Sequence, residues 1–162
     1  MNALSERLRV FSDVLGRIEP WMLDEVRFDP HAGVIVLQIL LPRREQWVCP
    51  ECFSLVTIHD YASRTWRHVD MFGLRFTVRS RVPRLNCPSH GTRRLPVPWA
   101  VPGSRFTSAF EALACAIAES TCVRAMATRL DLSWDEAHGI VRRAARSEAR
   151  LLPMAALPRP AS

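Results

Sequence analysis

The chain has 162 residues, of which 48% are hydrophobic, so it can bury the core of one ordinary domain or of two small ones and is not a disordered tail. Its formal net charge is +6, and all 22 basic residues are arginines. Arginine makes planar, bidentate contacts to phosphates and guanine edges, which favours a nucleic-acid partner, although a codon bias would also remove lysine.

The N-terminus carries charges every few residues and contains no apolar stretch of the kind found in signal peptides. The longest apolar run, GVIVLQILLP, is much shorter than the ~20 residues that a membrane helix needs. We therefore expect a cytoplasmic protein with no membrane partner. An odd number of cysteines in such a protein argues for metal binding rather than for disulfides. The cysteines are Cys49, Cys52, Cys87, Cys115 and Cys122.

Residues 1–20 form the first segment, and apolar side chains recur in it at helical spacing. The positions are Leu4, Leu8, Phe11, Leu15 and Ile18. This spacing predicts an amphipathic helix that Pro20 ends. The helix either docks on its own domain, which we favour, or forms the seam of a homodimer.

Residues 21–103 have the pattern of a small β-rich domain. DEVRFDPHAGVIVLQILL predicts two strands around a Pro/Gly turn, and LVTIHDY, TWRHVDM and LRFTVRSRV predict further short strands. Strand residues alternate between faces, so Arg75, Thr77, Arg79 and Arg81 share one face at intervals of roughly 7 Å. The stiff segment PVPWAVPG, residues 96–103, marks the expected domain boundary.

Two short motifs in this domain, CPEC at 49–52 and CPSHG at 87–91, each present two soft metal ligands from one tight turn. Together they supply the four ligands of a closed tetrahedral Zn²⁺ site, which leaves no open position for catalysis. The predicted ligands of this structural zinc are Cys49, Cys52, Cys87 and His90. The 34 residues between the pairs (87 − 52 − 1) are more than a zinc finger has and fit a ribbon.

The other histidines and cysteines are weaker candidates for metal binding. His59 and His68 lie in strand patterns, and we interpret them as surface or half-buried residues. Cys115 and Cys122 lie among apolar neighbours in helical patterns, and we interpret them as small core residues.

Residues 104–150 change to helical periodicity. SAFEALACAIAES, CVRAMATRL and SWDEAHGIVRRAAR predict three helices, and Ser108–Glu111 and Ser133–Glu136 have capping-box spacing. The last two helices, joined by a short turn at Asp131, have the pattern of a helix-turn-helix, although a plain three-helix core is an alternative. The predicted buried positions are Ala127, Leu130, Leu132, Ala137 and Ile140. We expect the Pro/Ala-rich residues 151–162 to be disordered.

The second helix of a helix-turn-helix reads base edges with its N-terminal residues. The residues predicted to face outward are Trp134, Asp135, His138, Gly139 and Arg142, followed by Arg143 and Arg146, and we expect these three arginines to contact phosphates. The preceding chain adds a one-sided charge, with nine arginines and one acid between residues 64 and 105. From it we include Arg75, Arg79, Arg81 and Arg105 among the candidate DNA contacts.

This order of segments resembles the N-terminal half of bacterial insertion-sequence transposases of the ISL-three family. The resemblance covers Trp47 to Arg146 and is carried by WVCPEC, RTWRHVD, RVPRLNCPSHG, VPWAVPGSRFT and LSWDEAHGIVRRA. In that family a zinc ribbon and a helix-turn-helix recognise the inverted terminal repeats of the transposon, and a domain with three metal-binding carboxylates cuts DNA. The resemblance implies the same four zinc ligands and a DNA-reading helix from Trp134 to Arg146.

We therefore expect an α+β protein in which a β-rich zinc ribbon precedes a three-helix helix-turn-helix unit. Its expected partner is double-stranded DNA at transposon ends, in the nucleoid, and no small-molecule substrate is expected. The 16 residues after Arg146 (162 − 146) are too few for the nuclease domain, so we expect this chain not to cut DNA alone. The alternatives are a zinc-ribbon module that docks on a protein and a transcriptional regulator; the full metal shell disfavours a zinc hydrolase.

Overall fold

The computed structural model describes residues 14–43 and 46–151, except for the side chains of residues 148–151. This part of the chain has an α+β fold, as predicted, with strands followed by helices. Strands β1 to β6 are Met22–Asp29, Val34–Leu40, Trp47–Val48, Leu55–Arg67, Arg75–Cys87 and Gly91–Arg94. Helices α1 to α3 are Ser108–Ser120, Val123–Arg129 and Trp134–Leu151. The chain divides between Phe110 and Glu111 into two compact units, which we call the β unit and the helical unit.

The strands of the β unit form a sheet in the order β1-β2-β5-β4-β3, and β6 pairs with β5. The pairing of β2 with β5 is parallel, and the other strand pairs are antiparallel. Because side chains alternate between the faces of a strand, β5 buries Phe76, Val78 and Val82 on one face. Arg75, Arg79 and Arg81 are exposed on the other face, as the sequence predicted.

The core of the β unit covers one face of this sheet. Leu37 and Ile39 of β2 are fully buried there beside Phe76 and Val78. Trp99 closes the core, because its ring meets those of Trp21 and Trp66 edge to face, at centroid distances of 5.1 and 5.4 Å. Trp99 belongs to the segment at 96–103 that was expected to be a boundary, so this segment packs within the β unit.

Strand β4 differs from the sequence prediction. LVTIHDY and TWR were interpreted as parts of separate short strands, but they form one strand of 13 residues. It pairs with β5 from Thr57↔Asn86 to Arg67↔Thr77, and the register shifts between Ile58 and Asp60. This bulge lies within the first predicted segment, and the ladder then continues without interruption through Ala62, Ser63 and Arg64, which joins the two predicted segments.

The predicted N-terminal helix is described only at its end. Leu4, Leu8 and Phe11, and with them the proposed dimer seam, lie outside the described residues. The last helical residue is Leu15, because Gly16 adopts a φ of 74°, the left-handed conformation that ends helices. The helix therefore ends before Ile18 and Pro20, and Leu15 and Ile18 pack on the core of the β unit.

His68 is buried rather than at the surface or half-buried, with 2% of its surface exposed. Its Nδ1 lies 2.8 Å from the hydroxyl oxygen of Thr107, and its ring meets that of Phe76. Burial lowers the pKa of His68, which favours the neutral imidazole. The other candidate, His59, is exposed.

The start of α1 also differs from the prediction of a capping box at Ser108 and Glu111. The hydroxyl of Thr107 accepts a hydrogen bond from the N–H of Phe110 at 3.3 Å, so the capping side chain lies one residue earlier. Glu111 instead pairs with Arg143 of α3. The capping box of α3 is confirmed, since Ser133 and Glu136 exchange backbone-to-side-chain hydrogen bonds of 3.0 and 3.3 Å.

The cysteines of the helical unit are not core residues. Cys122 is exposed and caps α2, because its sulfur accepts a hydrogen bond from the N–H of Ala125 at 3.4 Å. Cys115 is half-buried on α1. A thiol at a helix N-terminus satisfies a backbone donor that would otherwise need water, which explains why Cys122 is not inside.

The turn between α2 and α3 has the conformation that a helix-turn-helix needs. Asp131 adopts a left-handed φ of 50°, and the N–H of Leu132 donates to the carbonyl of Ala127 at 2.9 Å. This is the hydrogen bond of a Schellman motif, which reverses the chain after a helix. Ala127, Ala137 and Ile140 are buried as predicted, and Leu130 and Leu132 are half-buried.

Of the predicted C-terminal tail, 151–162, only the backbone of Leu151 lies within the described residues, as the last residue of α3. Among the described residues, no helix combines the length and the apolar character that crossing a membrane requires.

Candidate metal centre and nucleic-acid interface

The first ligand pair lies in the turn between β3 and β4. The N–H of Phe53 donates to the carbonyl of Cys49 at 3.0 Å, and the N–H of Cys49 donates to the carbonyl of Ser54 at 2.9 Å. Phe53 adopts a left-handed φ of 59°, which closes the turn tightly. The pairing of Val48 with Leu55 holds the two sides of the turn together. Both cysteine sulfurs of CPEC therefore face one point.

The second ligand pair lies between β5 and β6. Cys87 is the last residue of β5, and its pairing with Gly91 closes the turn that carries His90. Gly91 adopts a φ of 67°, a conformation that costs little only without a side chain. Because β4 and β5 pair along most of their length, the two turns meet at the same end of the sheet.

The four predicted ligands converge as a tetrahedral site requires. Their ligand atoms all lie within 4.8 Å of one another. Sγ of Cys87 is 3.6 Å from both Sγ of Cys52 and Nδ1 of His90, and Sγ of Cys49 is 3.9 Å from Nδ1 of His90. Tetrahedral Zn²⁺ with its usual bond lengths separates such atoms by about 3.5–3.8 Å, so the arrangement fits one structural zinc ion.

The surroundings of the sulfur atoms of Cys52 and Cys87 shift their pKa values in opposite directions. Hydrogen bonding from Ser54 lowers the pKa of Cys52 to about 6. Desolvation raises the pKa of Cys87, which therefore needs the charge of the metal to remain a thiolate. Cys49 and Cys87 are buried, so the ion lies at the edge of a packed structure rather than in solvent.

Glu51, inside the CPEC motif, forms an outer layer of the metal site that the sequence analysis missed. One of its carboxylate oxygens lies 3.8 Å from Nε2 of His90, and the other accepts a hydrogen bond from Arg93 at 2.5 Å. A carboxylate beside the second nitrogen of a metal-binding histidine favours the orientation that the metal needs. The sequence could have indicated this role, because Glu51 lies between the ligands Cys49 and Cys52.

The carboxylates of Asp60, Asp70 and Glu111 form salt bridges with arginines. Asp60 pairs with Arg84, which lowers the pKa of Asp60, and Asp70 pairs with Arg67 at 2.8 Å. Glu111 pairs with Arg143. These pairs leave the three acids engaged in structural contacts rather than grouped around a catalytic metal.

The exposed side of α3 carries most of the residues predicted to contact DNA. Trp134 is 57% exposed, and its ring centroid lies 4.3 Å from that of His138, one turn further on. Asp135 and Arg142 are exposed beside them, and Arg146 continues the stripe. Neither Arg142 nor Arg146 forms an ion pair with any side chain that the structure describes. The structure thus brings together aromatic, polar and cationic groups along one side of this helix, from Trp134 to Arg146.

Arg143 does not belong to that surface, which corrects the prediction that it faces outward. Its Nε and Nη2 donate to the same carboxylate oxygen of Glu111, at 2.9 and 2.5 Å. Arg143 therefore joins α3 to α1. Gly139 is half-buried, and a side chain there would meet the guanidinium of Arg143 at 3.3 Å.

The sheet face opposite the core presents the second group of predicted contacts. Cross-strand pairing places Arg79 between Gln38 and Thr65 and places Arg81 beside Ser63. The cross-strand neighbours of both arginines are therefore neutral. Arg79 and Arg81 have no carboxylate partner among the described residues. Arg75 is exposed on the same face, and Arg105 is exposed after β6, where its carbonyl accepts a hydrogen bond from the N–H of Arg67.

Two families of known proteins match this chain, one over the metal site and one over the helix-turn-helix. Residues 45–90 match the family described as the zinc-finger of transposase IS204/IS1001/IS1096/IS1165, and residues 95–145 match the helix-turn-helix domain of transposase family ISL3. The first match contains all four metal ligands, and the second contains α1, α2 and most of α3.

Relatives of known name point the same way. The chain is 27% identical over 142 residues to the transposase for insertion sequence element IS1557 of Mycobacterium tuberculosis, in the CDC 1551 / Oshkosh strain and in the H37Rv strain. The match covers 84% of this chain and 32% of each relative, so the chain spans about a third of their length. No solved structure is similar enough to count as a match.

The ligand geometry fits one zinc ion, the turn at Asp131 has the conformation of a helix-turn-helix, and both regions match families of one kind. The chain therefore contains a zinc-ribbon region and a helix-turn-helix region that are similar to those of ISL3-family transposases.

Proposed function

We propose that the chain binds duplex DNA in a sequence-specific manner and that its natural sites are the terminal inverted repeats of an insertion sequence. The supporting observation is the exposed stripe on α3, which combines Trp134, Asp135 and His138 with Arg142 and Arg146, two cations with no ion-pair partner among the described side chains. Groups near the start of such a helix can reach base edges in the major groove, and arginines further along can reach phosphates. The choice of terminal repeats rests on the relationship to transposases.

The sheet arginines Arg75, Arg79 and Arg81, together with Arg105, serve in this proposal as phosphate contacts of the β unit. They add affinity without sequence preference, because phosphate contacts position a protein on DNA but carry no base information. The zinc ion, bound by Cys49, Cys52, Cys87 and His90, has a structural role and takes no part in chemistry. In a cell we expect the protein in the cytoplasm, on the nucleoid.

The proposal is tested by measuring binding of the zinc-loaded protein to a duplex carrying the terminal repeat, over a series of salt concentrations. Arg142→Ala should lower affinity and reduce the log–log salt slope by roughly 0.9, the value for one phosphate contact. The matched control is Arg17→Ala, because Arg17 is a highly exposed arginine of the β unit that faces Glu19. Equal binding by wild type and Arg142→Ala would remove α3 from the interface.

A scrambled duplex of the same length tests sequence specificity. Preference for the terminal repeat, retained at higher salt, supports recognition of transposon ends. Equal affinity for both duplexes would leave a general DNA binder, such as a redirected regulator.

We also propose that these 162 residues do not cut or join DNA by themselves. Four protein ligands complete the zinc shell, and the carboxylates Asp60, Asp70 and Glu111 are paired with arginines. Purified protein incubated with supercoiled plasmid and Mg²⁺ or Mn²⁺ should leave the plasmid intact. Reproducible nicking by the pure protein, absent from a mock purification, would contradict this.

A protein-docking role is the second candidate, and the tip of the zinc ribbon favours it. Val48, Phe53 and Leu55 lie together there, and 46%, 77% and 65% of their respective surfaces are exposed. Salt separates the two functions, because an apolar interface loses much less affinity with rising ionic strength than phosphate contacts do. If the protein binds no duplex even at low salt, protein docking becomes the favoured function.

A further inference from the structure

An open groove of about 360 Å³ lies at the exposed face of the sheet, and none of the four zinc ligands lines it. Strands β1, β2, β4 and β5 and the segment after β2 contribute side chains to it. Its lining includes Asp24, Gln38, Leu40, Arg43, Tyr61 and Arg81. Of these, only Arg81 was singled out from the sequence.

Tyr61 and Arg81 form a stacked pair in this groove. The guanidinium carbon of Arg81 lies 5.2 Å from the centroid of the Tyr61 ring, a cation–π distance. Strand pairing fixes this contact, because Tyr61 lies opposite Pro83 and Ser63 lies opposite Arg81, so both side chains project from the same face. Tyr61 nevertheless remains 45% exposed. The pair is thus a flat, preorganised surface that is open to solvent.

The charge around this surface suits a phosphate chain. Arg43 and Arg81 line the groove with one acid, Asp24. Arg79 lies one position back along the same face of β5 and has neutral neighbours across both adjacent strands, Gln38 and Thr65. None of these three arginines has a carboxylate partner among the residues that the structure describes. A ligand with regularly spaced negative charges would complement this side of the groove.

We propose that this groove binds unpaired nucleotides of a DNA strand, with a base extending the Tyr61–Arg81 stack and phosphates near Arg43 and Arg79. The stacking surface selects unpaired nucleotides, because bases inside a duplex already cover one another's faces. The inference rests on the proposed DNA binding only in that DNA is the partner; α3 reads the duplex, and the groove takes a frayed or single-stranded extension of it.

The composition of the chain provides a selective probe, since Tyr61 is its only tyrosine. Zinc-loaded full-length protein made with 3-fluorotyrosine should give one ¹⁹F NMR signal, from this groove alone. A thymidine oligomer is expected to shift or broaden that signal more than a blunt duplex of the same total charge, because a duplex can contact Arg81 with its phosphates but has no free base to stack on Tyr61.

Substitutions make the same test by affinity. Tyr61→Ala should weaken binding of the thymidine oligomer by about tenfold, in the range that loss of one stacked base produces. Tyr61→Phe keeps the aromatic ring and should bind within about twofold of wild type, since stacking tolerates any aromatic face. Arg81→Gln should weaken binding and lower the salt dependence. Melting curves of the variants check that each is folded.

The two proposals fail in distinguishable ways. If the duplex binds but the oligomer neither moves the ¹⁹F signal nor responds to Tyr61→Ala, the groove proposal is overturned and the role of α3 stands. If the oligomer binds in a Tyr61-dependent manner while the duplex does not bind, the groove proposal stands and the duplex proposal fails. An equal effect of duplex and oligomer on the ¹⁹F signal would overturn the selectivity for unpaired nucleotides.

Discussion

Arg142 and Arg143 are adjacent on α3 but have different surroundings. Arg142 is exposed and has no partner among the described side chains, whereas Arg143 donates two hydrogen bonds to Glu111 of α1. The side chains of Arg143 and Glu111 are 27% and 11% exposed. The two arginines should therefore be separable by experiment, one acting on DNA binding and the other on stability.

Arg143→Ala should lower the free energy of unfolding of the helical unit by about 3 kcal/mol, because it leaves the Glu111 carboxylate buried without this partner. Urea unfolding followed by far-UV circular dichroism measures the change. Arg142→Ala is the matched control and should leave stability within about 0.5 kcal/mol of wild type while weakening DNA binding. A similar stability loss in both variants would contradict the assignment.

His68 provides a second test at the scale of one residue. Burial lowers its pKa in the folded state, so the unfolded chain binds a proton more readily. This contribution to stability is present above the unfolded pKa of about 6.5 and is lost as the pH falls towards the folded value. The hydroxyl oxygen of Thr107 lies 2.8 Å from Nδ1 of His68, and this hydroxyl can donate to Nδ1 only while the imidazole is neutral.

His68→Gln removes the titrating group and retains a polar side chain. The melting temperature of wild type should fall relative to that of His68→Gln as the pH is lowered from about 7.5 to about 5. Both proteins keep the same zinc site, so proton competition for the cysteines cancels in the difference. A constant difference across this range would show that His68 does not titrate with folding.

At the scale of elements, the long β4–β5 ladder connects the zinc turns to the sheet core. Its pairing runs from Thr57↔Asn86 beside the metal to Arg67↔Thr77 beside Phe76. Near the metal, the short strands β3 and β6 add little core of their own. Zinc therefore stabilises one end of a ladder whose other end is held by apolar packing.

Removal of zinc, or Cys87→Ser, should abolish hydrogen-exchange protection first in residues 47–58 and 85–94. Protection in 108–147 should change little, because the helical unit has its own core around Ala137 and Ile140. Exchange mass spectrometry with and without a chelator provides the measurement, and metal analysis of Cys87→Ser provides the control. Full zinc occupancy in that variant would contradict the ligand assignment.

The turn of the helix-turn-helix is the second element that can be tested. Asp131 adopts a φ of 50°, which glycine reaches freely and β-branched residues reach only with strain. Asp131→Val should lower stability by about 1–2 kcal/mol, whereas Asp131→Gly should be tolerated. Thermal unfolding of the three proteins decides between a left-handed turn and any alternative connection.

For the whole molecule, two surfaces are proposed to contact DNA, one on each compact unit. If both bind the same duplex, Arg79→Gln and Arg142→Gln should each lower the log–log salt slope by roughly 0.9, and the double variant by roughly 1.8. Contacts that share no partner usually contribute independently, so additivity is the expected result. An unchanged slope in Arg79→Gln would restrict duplex contact to the helical unit.

The sequence predicted the features that depend on local spacing, and the structure explains why others were missed. The zinc ligands follow from two tight turns, and the arginines of β5 follow from alternation along one strand. Arg143 could not be placed because its partner, Glu111, lies 32 residues away. Tyr61 gave no signal because its role depends on which residue of β5 the bulge in β4 places beside it. Register across strands is set by the tertiary structure.

The parallel pairing of β2 with β5 has a consequence for the order of folding. Residues 41–74 separate these strands, and they include β4 and the first zinc turn. The antiparallel β4–β5 hairpin closes a much shorter loop, and closing longer loops costs more chain entropy. We therefore expect β4 and β5 to associate early and β2 to join last, so that mutations in β2 change the unfolding rate more than the folding rate.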